Sequence, residues 1–286
     1  MFDISAVQPH SPDYPGYLRN IHDPPDPIFF DGDIAALRGP AVAIVGARRC
    51  TAEGRETARR FARHLAECGV AVVSGLAHGI DTAAHEGALA GGGITFAVLG
   101  SGVDRVYPAR NAALAQRIVS SGGALLSEYP PGTPPARHRF PERNRIISGL
   151  SSAVLVVEAS NRSGSLITAR MALEQGRDVL AVPGPLSSPQ SEGCLRLLRE
   201  GAALVDGFET LRFELGLDEP EGLTDDGQPE VEDDLLAHFL EPVVTVDTLV
   251  ARSGRTAAEV LAALMDLELA GFVAAQGGGY SRRPLN

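Results

Sequence analysis

Lysine is missing from all 286 residues, so each of the 25 cationic side chains is an arginine. That absence excludes a P-loop lysine, a lysine Schiff base and a lysine general base. It leaves guanidinium as the fixed cation, a planar group suited to phosphate binding and base stacking. The three cysteines, Cys50, Cys68 and Cys194, are odd in number and show no CxxC spacing. A disulfide framework or thiolate zinc site is therefore not expected. No apolar run approaches the roughly 20 residues needed to span a bilayer. The opening MFDISAVQPHSPDYPGY has neither a basic nor an apolar leader segment, so the expected compartment is the cytoplasm. GxGxxG is missing too, since GSGVDR keeps only its first two glycines. Nicotinamide and ATP enzymes are thereby disfavoured, and no cofactor is expected.

What is present is unevenly placed. The formal net charge is -11, yet residues 1–212 hold 21 Arg against 21 Asp+Glu. Residues 213–286 hold 4 Arg against 15 Asp+Glu and carry the whole excess. A basic patch in the neutral body is not swamped.

Residues 1–27, rich in Pro, Asp and Tyr, read as an extended lead-in, with IFFDGD (28–33) as a short strand. Short apolar runs then alternate with helical periodicity: AVAIVG (41–46), VAVVS (70–74), ITFAVLG (94–100), ALLSE, AVLVVEA and DVLAVPG. Thr51 suits a helix N-cap, Ala58, Phe61, Ala62, Leu65 and Ala66 recur at helical spacing, and Gly69 supplies a stop. Buried parallel strands read as such apolar runs, so the expected fold is α/β, an extended Rossmann-like, doubly wound, mostly parallel sheet over 28–212. Ligands in such folds bind beyond the carboxyl ends of the strands. VGARR, SGLAHGID, LGSGVD, SEYPPG and EASNRSGS all fall there.

The stretch 213–230 reads as an acidic linker. Residues 231–286 outline a winged-helix-like domain: LLAHFL, VDTLVARSG, RTAAEVLAALMDLELAG, then a hairpin in FVAAQGGGYSR. Its candidate recognition helix carries Glu259, Asp266 and Glu268 and no arginine, whereas a DNA-reading helix should be basic. A protein-interaction or regulatory module is expected there, touching DNA only through Arg252, Arg255, Arg282 or Arg283.

Three constellations carry chemistry. His78, Asp81 and His85 sit at i, i+3 and i+7, but no further ligand completes a metal shell. The plainer reading is that Asp81 caps the helix and pairs with His85, and no metal is expected. EASNRSGSLITA reads equally as an anion seat at a helix N-terminus and as an ordinary capped turn. RHRFPERNRIISG gathers Arg137, Arg139, Arg143 and Arg145 around Phe140. Pro141 and Glu142 suit a helix first turn, which leaves Arg137, Arg139 and Phe140 in the preceding loop. Arg143 and Arg145 read equally as ion pairs and as phosphate ligands. A loop phenylalanine beside arginines suits single-stranded nucleic acid, offering a stacking face and phosphate partners.

These motifs resemble the DNA processing protein A (DprA/Smf) family. The resemblance runs through VAIVGARR, VVSGLAHGIDTAAHEGAL, AVLGSGVDRVYPARN, LLSEYPPG, FPERNRIISGLS, VLVVEASNRSGSLITA and AVPGP, about residues 20 to 205. It implies a non-enzymatic protein that binds single-stranded DNA, forms a homodimer and loads RecA in natural transformation and recombination. The implied site comprises Arg48, Gly75, His78, Gly100, Ser101, Gly102, Arg137, Arg139, Phe140, Arg143, Asn144, Arg145, Gly164 and Ser165. His78 replaces the arginine usual in SGLARGID, making one charge depend on pH. A helical domain that precedes the Rossmann part in many members is not expected in so short a chain. The apolar residues Leu195, Leu197 and Leu198 are the candidate dimer surface. The rival reading is an enzyme resembling nucleoside-monophosphate N-glycosidases, with SGSLITA holding phosphate and Glu158 or Glu174 acting. That group resembles PGGxGTxxE, and the adjacent PGG is missing here.

Overall fold

A computed structural model describes residues 2–217, 234–239, 243–269, 272–276 and 278–282. The chain divides into two compact units, Met1–Pro220 and Glu221–Asn286. The first runs β1 (Ile4–Val7), α1 (Gly16–Arg19), β2 (Ile28–Gly32), β3 (Ala41–Val45), α2 (Ala52–Glu67), β4 (Ala71–Ser74) and α3 (Ile80–Ala90). Then come β5 (Thr95–Val98), α4 (Ala112–Ser120), β6 (Ala124–Ser127), α5 (Arg139–Gly149), β7 (Ala153–Val156) and α6 (Ser165–Glu174). β8 (Asp178–Ala181), α7 (Glu192–Arg199), β9 (Ala203–Leu204) and α8 (Phe208–Leu215) complete it.

The nine strands form one sheet in the order β1-β2-β6-β5-β4-β3-β7-β8-β9. From β6 to β9 every pairing is parallel. β2 joins β6 antiparallel, and β1 joins β2 antiparallel. After β3 the chain winds outward to β6, then returns to place β7 on the other side of β3. The winding direction reverses between β3 and β7, and a crevice opens at such a point.

Strand periodicity distributes the core. Ala43 and Val45 face one way, toward Ile146 and Ile147 of α5 and Ala169 of α6. Val42 and Ile44 face the other, toward Ala58, Phe61 and Leu65 of α2 and Ala83 and Ala84 of α3. The Thr51 side chain accepts the Gly54 N–H to start α2, and Gly69, at φ +73°, follows its end. Helices α2 and α3 approach closely at Gly87, where a Cβ would stand 2.2 Å from the Arg59 carbonyl oxygen.

The lead-in expected over 1–27 is instead structured. β1 extends the sheet edge, and Tyr14, Leu18 and Ile21 are buried in the main core. Helix α8 reaches Leu215, into the stretch read as linker, while 218–230 lies outside the described residues. Of the candidate dimer surface, Leu197 is buried in the core, while Leu195 and Leu198 are half-buried and Leu198 packs against the core.

In the second unit a short 3-10 turn, Asp234–His238, takes the place of the helix expected over LLAHFL. Leu240, the last residue of that expectation, lies outside the described residues. α9 (Val246–Ser253), α10 (Ala257–Leu269) and the antiparallel pair β10 (Val273–Gln276) and β11 (Gly279–Arg282) follow. Leu235, Val244, Leu249, Val260, Leu264, Leu267 and Val273 form a separate core. This is the expected winged-helix outline.

Candidate nucleic-acid interface

A crevice of about 770 Å³ opens at the switch point. The turn after β3 supplies Gly46, Ala47, Arg48 and Arg49. The turn after β7 and the start of α6 supply Ser160, Ser163, Gly164, Ser165 and Thr168. Arg137 enters from the turn before α5, Phe140 and Asn144 from α5 itself, and Tyr107 and Gln190 from two further loops.

Phe140 organises the cationic rim. The Arg48 guanidinium lies 5.4 Å from its ring centroid, and the Tyr107 ring packs at 5.6 Å. Gly100 sits behind it, where a Cβ would come within 3.1 Å of the Phe140 ring. Among the described residues, no salt bridge engages Arg48, Arg49 or Arg137. Three such cations beside the N-terminus of α6 suit an anionic ligand, since backbone N–H groups and the helix dipole favour negative charge there. Arg139 and Phe140 belong to the first turn of α5, not to the loop before it. Pro141 is tolerated there because first-turn N–H groups have no intrahelical partner.

The other arginines of the cluster are committed elsewhere. Arg145 donates to both Glu128 oxygens at 2.8 Å and to Asp23 at 3.2 Å. Arg139 donates to the Pro134 carbonyl and lies over the Tyr129 ring at 4.8 Å. Arg143 is 4% exposed and forms part of the crevice floor. It donates to the carbonyls of Gly75 and Val98 and to Asn144 Oδ1, tying the ends of β4 and β5 to α5. Burial lowers its pKa to about 10, and Asp81 opposes that shift. Gly75 is the residue that leaves it room, since a Cβ would lie 2.2 Å from the guanidinium. Asn144 also donates to the Gly164 carbonyl at 3.3 Å, joining α5 to the α6 turn.

Asp81 accepts the Ala77 N–H from the first turn of α3, but the N-cap is Gly79. Burial raises its pKa, with Arg143 opposing. His85 pairs with Thr95, not with Asp81. The Thr95 hydroxyl donates to the Val72 carbonyl, so His85 Nδ1 must be the donor to Thr95. No cluster of metal-ligating side chains occurs among the described residues. His78 lies near Arg110 and Arg48; partial burial, then those two charges, push it toward its neutral form.

The Gly100–Gly102 turn does not line the crevice. The Gly102 N–H donates to the Thr133 carbonyl, and the Ser101 hydroxyl to the Arg105 carbonyl. Ser165 shares a hydroxyl hydrogen bond of 2.7 Å with Ser163 at the crevice wall. Glu158 accepts the Thr51 N–H and hydroxyl, so both its oxygens are occupied. Glu174 lies at the far end of α6, paired with Arg170 at 3.6 Å. Arg49, Tyr107, Ser160, Ser163 and Gln190 were not singled out from the sequence. Arg49 adjoins Arg48, but Tyr107 and Gln190 arrive through loops whose placement no local pattern specifies.

A doubly wound sheet with an arginine-rimmed crevice at its switch point, followed by a winged-helix unit, defines a Rossmann-like fold with an appended winged helix. The chain belongs to the DNA recombination-mediator protein A family, whose model matches residues 5–215. The model of the DprA winged helix domain matches 219–279. Protein Smf of Escherichia coli (strain K12) is 45% identical over 281 residues, covering 94% of this chain and 75% of that one. The X-ray structure of DNA processing protein A from Streptococcus pneumoniae superposes with TM-score 0.70 at 43% identity, covering 74% of each chain. A Helicobacter pylori structure, described for the single-stranded DNA binding mode of its DNA processing protein A, gives TM-score 0.68 at 31% identity. It covers 75% of this chain and 96% of that one. Family and fold agree with the reading of the motifs.

Proposed function

We propose that this chain binds single-stranded DNA in the switch-point crevice and hands it to a RecA recombinase. It acts without catalysis, in the cytoplasm, as a homodimer, in natural transformation and recombination. The observation that carries the reading is Phe140 in contact with Arg48 and Tyr107, beside Arg49, Arg137 and the start of α6. A stacking ring among cations that make no salt bridge among the described residues suits an unpaired base and its phosphates without reading sequence. The likeness to the Helicobacter pylori protein supports it. The enzyme alternative loses support because Glu158 is occupied by Thr51 and Glu174 lies outside the crevice.

The test is fluorescence anisotropy of labelled oligo-dT and its duplex across a salt series. Single strands bind more tightly, affinity falls with salt, and Phe140→Ala weakens binding by about 1–3 kcal/mol. No single-strand binding overturns the reading and makes base release from a nucleotide the next assay.

A further inference from the structure

Helix α10 has two apolar faces. Val260, Leu264 and Leu267 are fully buried in the core of the second unit. On the opposite side Ala258, Leu261, Ala262 and Met265 recur at i, i+3, i+4 and i+7 and face solvent. Leu261 is 48% exposed and Met265 63%. Helical geometry sets Glu259 and Asp266 along one border of this stripe and Glu268 along the other. All three carboxylates are exposed.

The acidic border is fixed by the fold. Glu259 accepts the Thr256 N–H and hydroxyl in a capping box, and those bonds hold its carboxyl below the usual range. Glu268 accepts the Ala275 N–H from β10. No basic side chain stands between Ala257 and Leu269, and residues 221–286 carry 12 Asp+Glu against 4 Arg. In a helix-turn-helix arrangement the second helix is the one that enters a DNA groove. Here it would bring carboxylates and bare hydrocarbon against phosphate. A second copy of the same face would set acid against acid. An apolar stripe edged by carboxylates complements a helix with apolar anchors at matching spacing and cations along its edges.

We propose that the exposed face of α10 is a docking site for a positively charged amphipathic helix of a protein partner. The proposal rests on α10 alone and is independent of the crevice.

The full chain is titrated against a labelled amphipathic Leu/Arg peptide of about 18 residues, five helical turns. The charge-reversed Leu/Glu peptide is the control. The basic peptide binds, its affinity falls with salt, and the acidic peptide does not bind. Leu261→Ser with Met265→Ser weakens binding at least about tenfold, and Asp266→Arg about threefold or more. Circular dichroism and oligo-dT binding stay as in the parent, because these side chains are exposed and the crevice is untouched. Failure of the basic peptide to bind overturns the proposal. Equal binding by parent and double variant also overturns it and assigns the peptide to the acidic stretch before α9. Self-association, or duplex binding, that the double variant abolishes would replace the partner helix by a second copy or by DNA.

Discussion

Arginines of one short segment do different work because their surroundings differ. Arg48 meets an aromatic face and no salt-bridge partner among the described residues, whereas Arg145 is saturated by Glu128 and Asp23. Arg48→Ala should weaken oligo-dT binding and reduce the salt slope by about one phosphate contact, while Arg145→Ala leaves that slope unchanged. Equal slopes for Arg48→Ala and the parent would remove Arg48 from the interface. His85 makes the second point at this scale. It is wholly buried, Nδ1 donates to Thr95, and Nε2 meets no partner among the described residues. A second proton would put a charged, unsatisfied N–H in the core, so burial drives the folded pKa from 6.5 to about 3. The unfolded chain therefore binds the proton first as pH falls. Stability is full above pH 6.5 and declines between there and about 3, by up to about 1.4 kcal/mol per pH unit from this group. Urea unfolding from pH 7 to 4.5 measures it, and His85→Asn should remove that share of the slope. Partner choice was not legible in the sequence: Arg145 and Asp23 lie 122 residues apart, and only the fold makes them neighbours.

Between elements, closeness of approach decides what a position accepts. A Cβ at Gly87 would meet the Arg59 carbonyl oxygen at 2.2 Å, so Gly87→Ala must push α3 away from α2. The expected cost is about 1–3 kcal/mol, read as a drop of several degrees in thermal midpoint. Gly39→Ala is the control, since a Cβ there meets only the Ala36 oxygen at 3.5 Å; equal losses would show that packing is not the cause. Much at this scale was readable in advance. The apolar runs gave β3 to β8, because parallel strands covered on both faces need hydrocarbon at every position. The Thr51 cap and the inward stripe of α2 were equally plain. β1 was not, because an edge strand covered on one face carries a weak pattern, and ISAV shows only Val7 buried. The N-terminal boundary of α5 was misplaced because Pro141 permits, but does not require, a helix beginning two residues earlier.

Over the whole chain the charge is divided unevenly on either side of residue 217. Residues 1–217 hold 21 Arg against 22 Asp+Glu, and the remainder 4 against 14. The first part has its own sheet and core, so it should bind oligo-dT alone. At low salt it should bind more tightly than the full chain, because long-range repulsion of DNA by the acidic part is removed. The two should converge above roughly 0.1 M salt, where screening acts within about 10 Å. A full chain that binds more tightly than residues 1–217 would assign DNA contacts to the second unit, through Arg252, Arg255 or Arg282, or through Arg283, which lies outside the described residues.

The packing of Tyr107 on Phe140 gives the crevice an optical reporter. The chain contains no tryptophan and five tyrosines. Of these, Tyr107 alone lines the crevice, where it is 50% exposed. On the proposed reading, a base that stacks on Phe140 arrives beside that phenol and changes its surroundings. Tyrosine emission, unmasked by indole, will register arrival of an unlabelled strand.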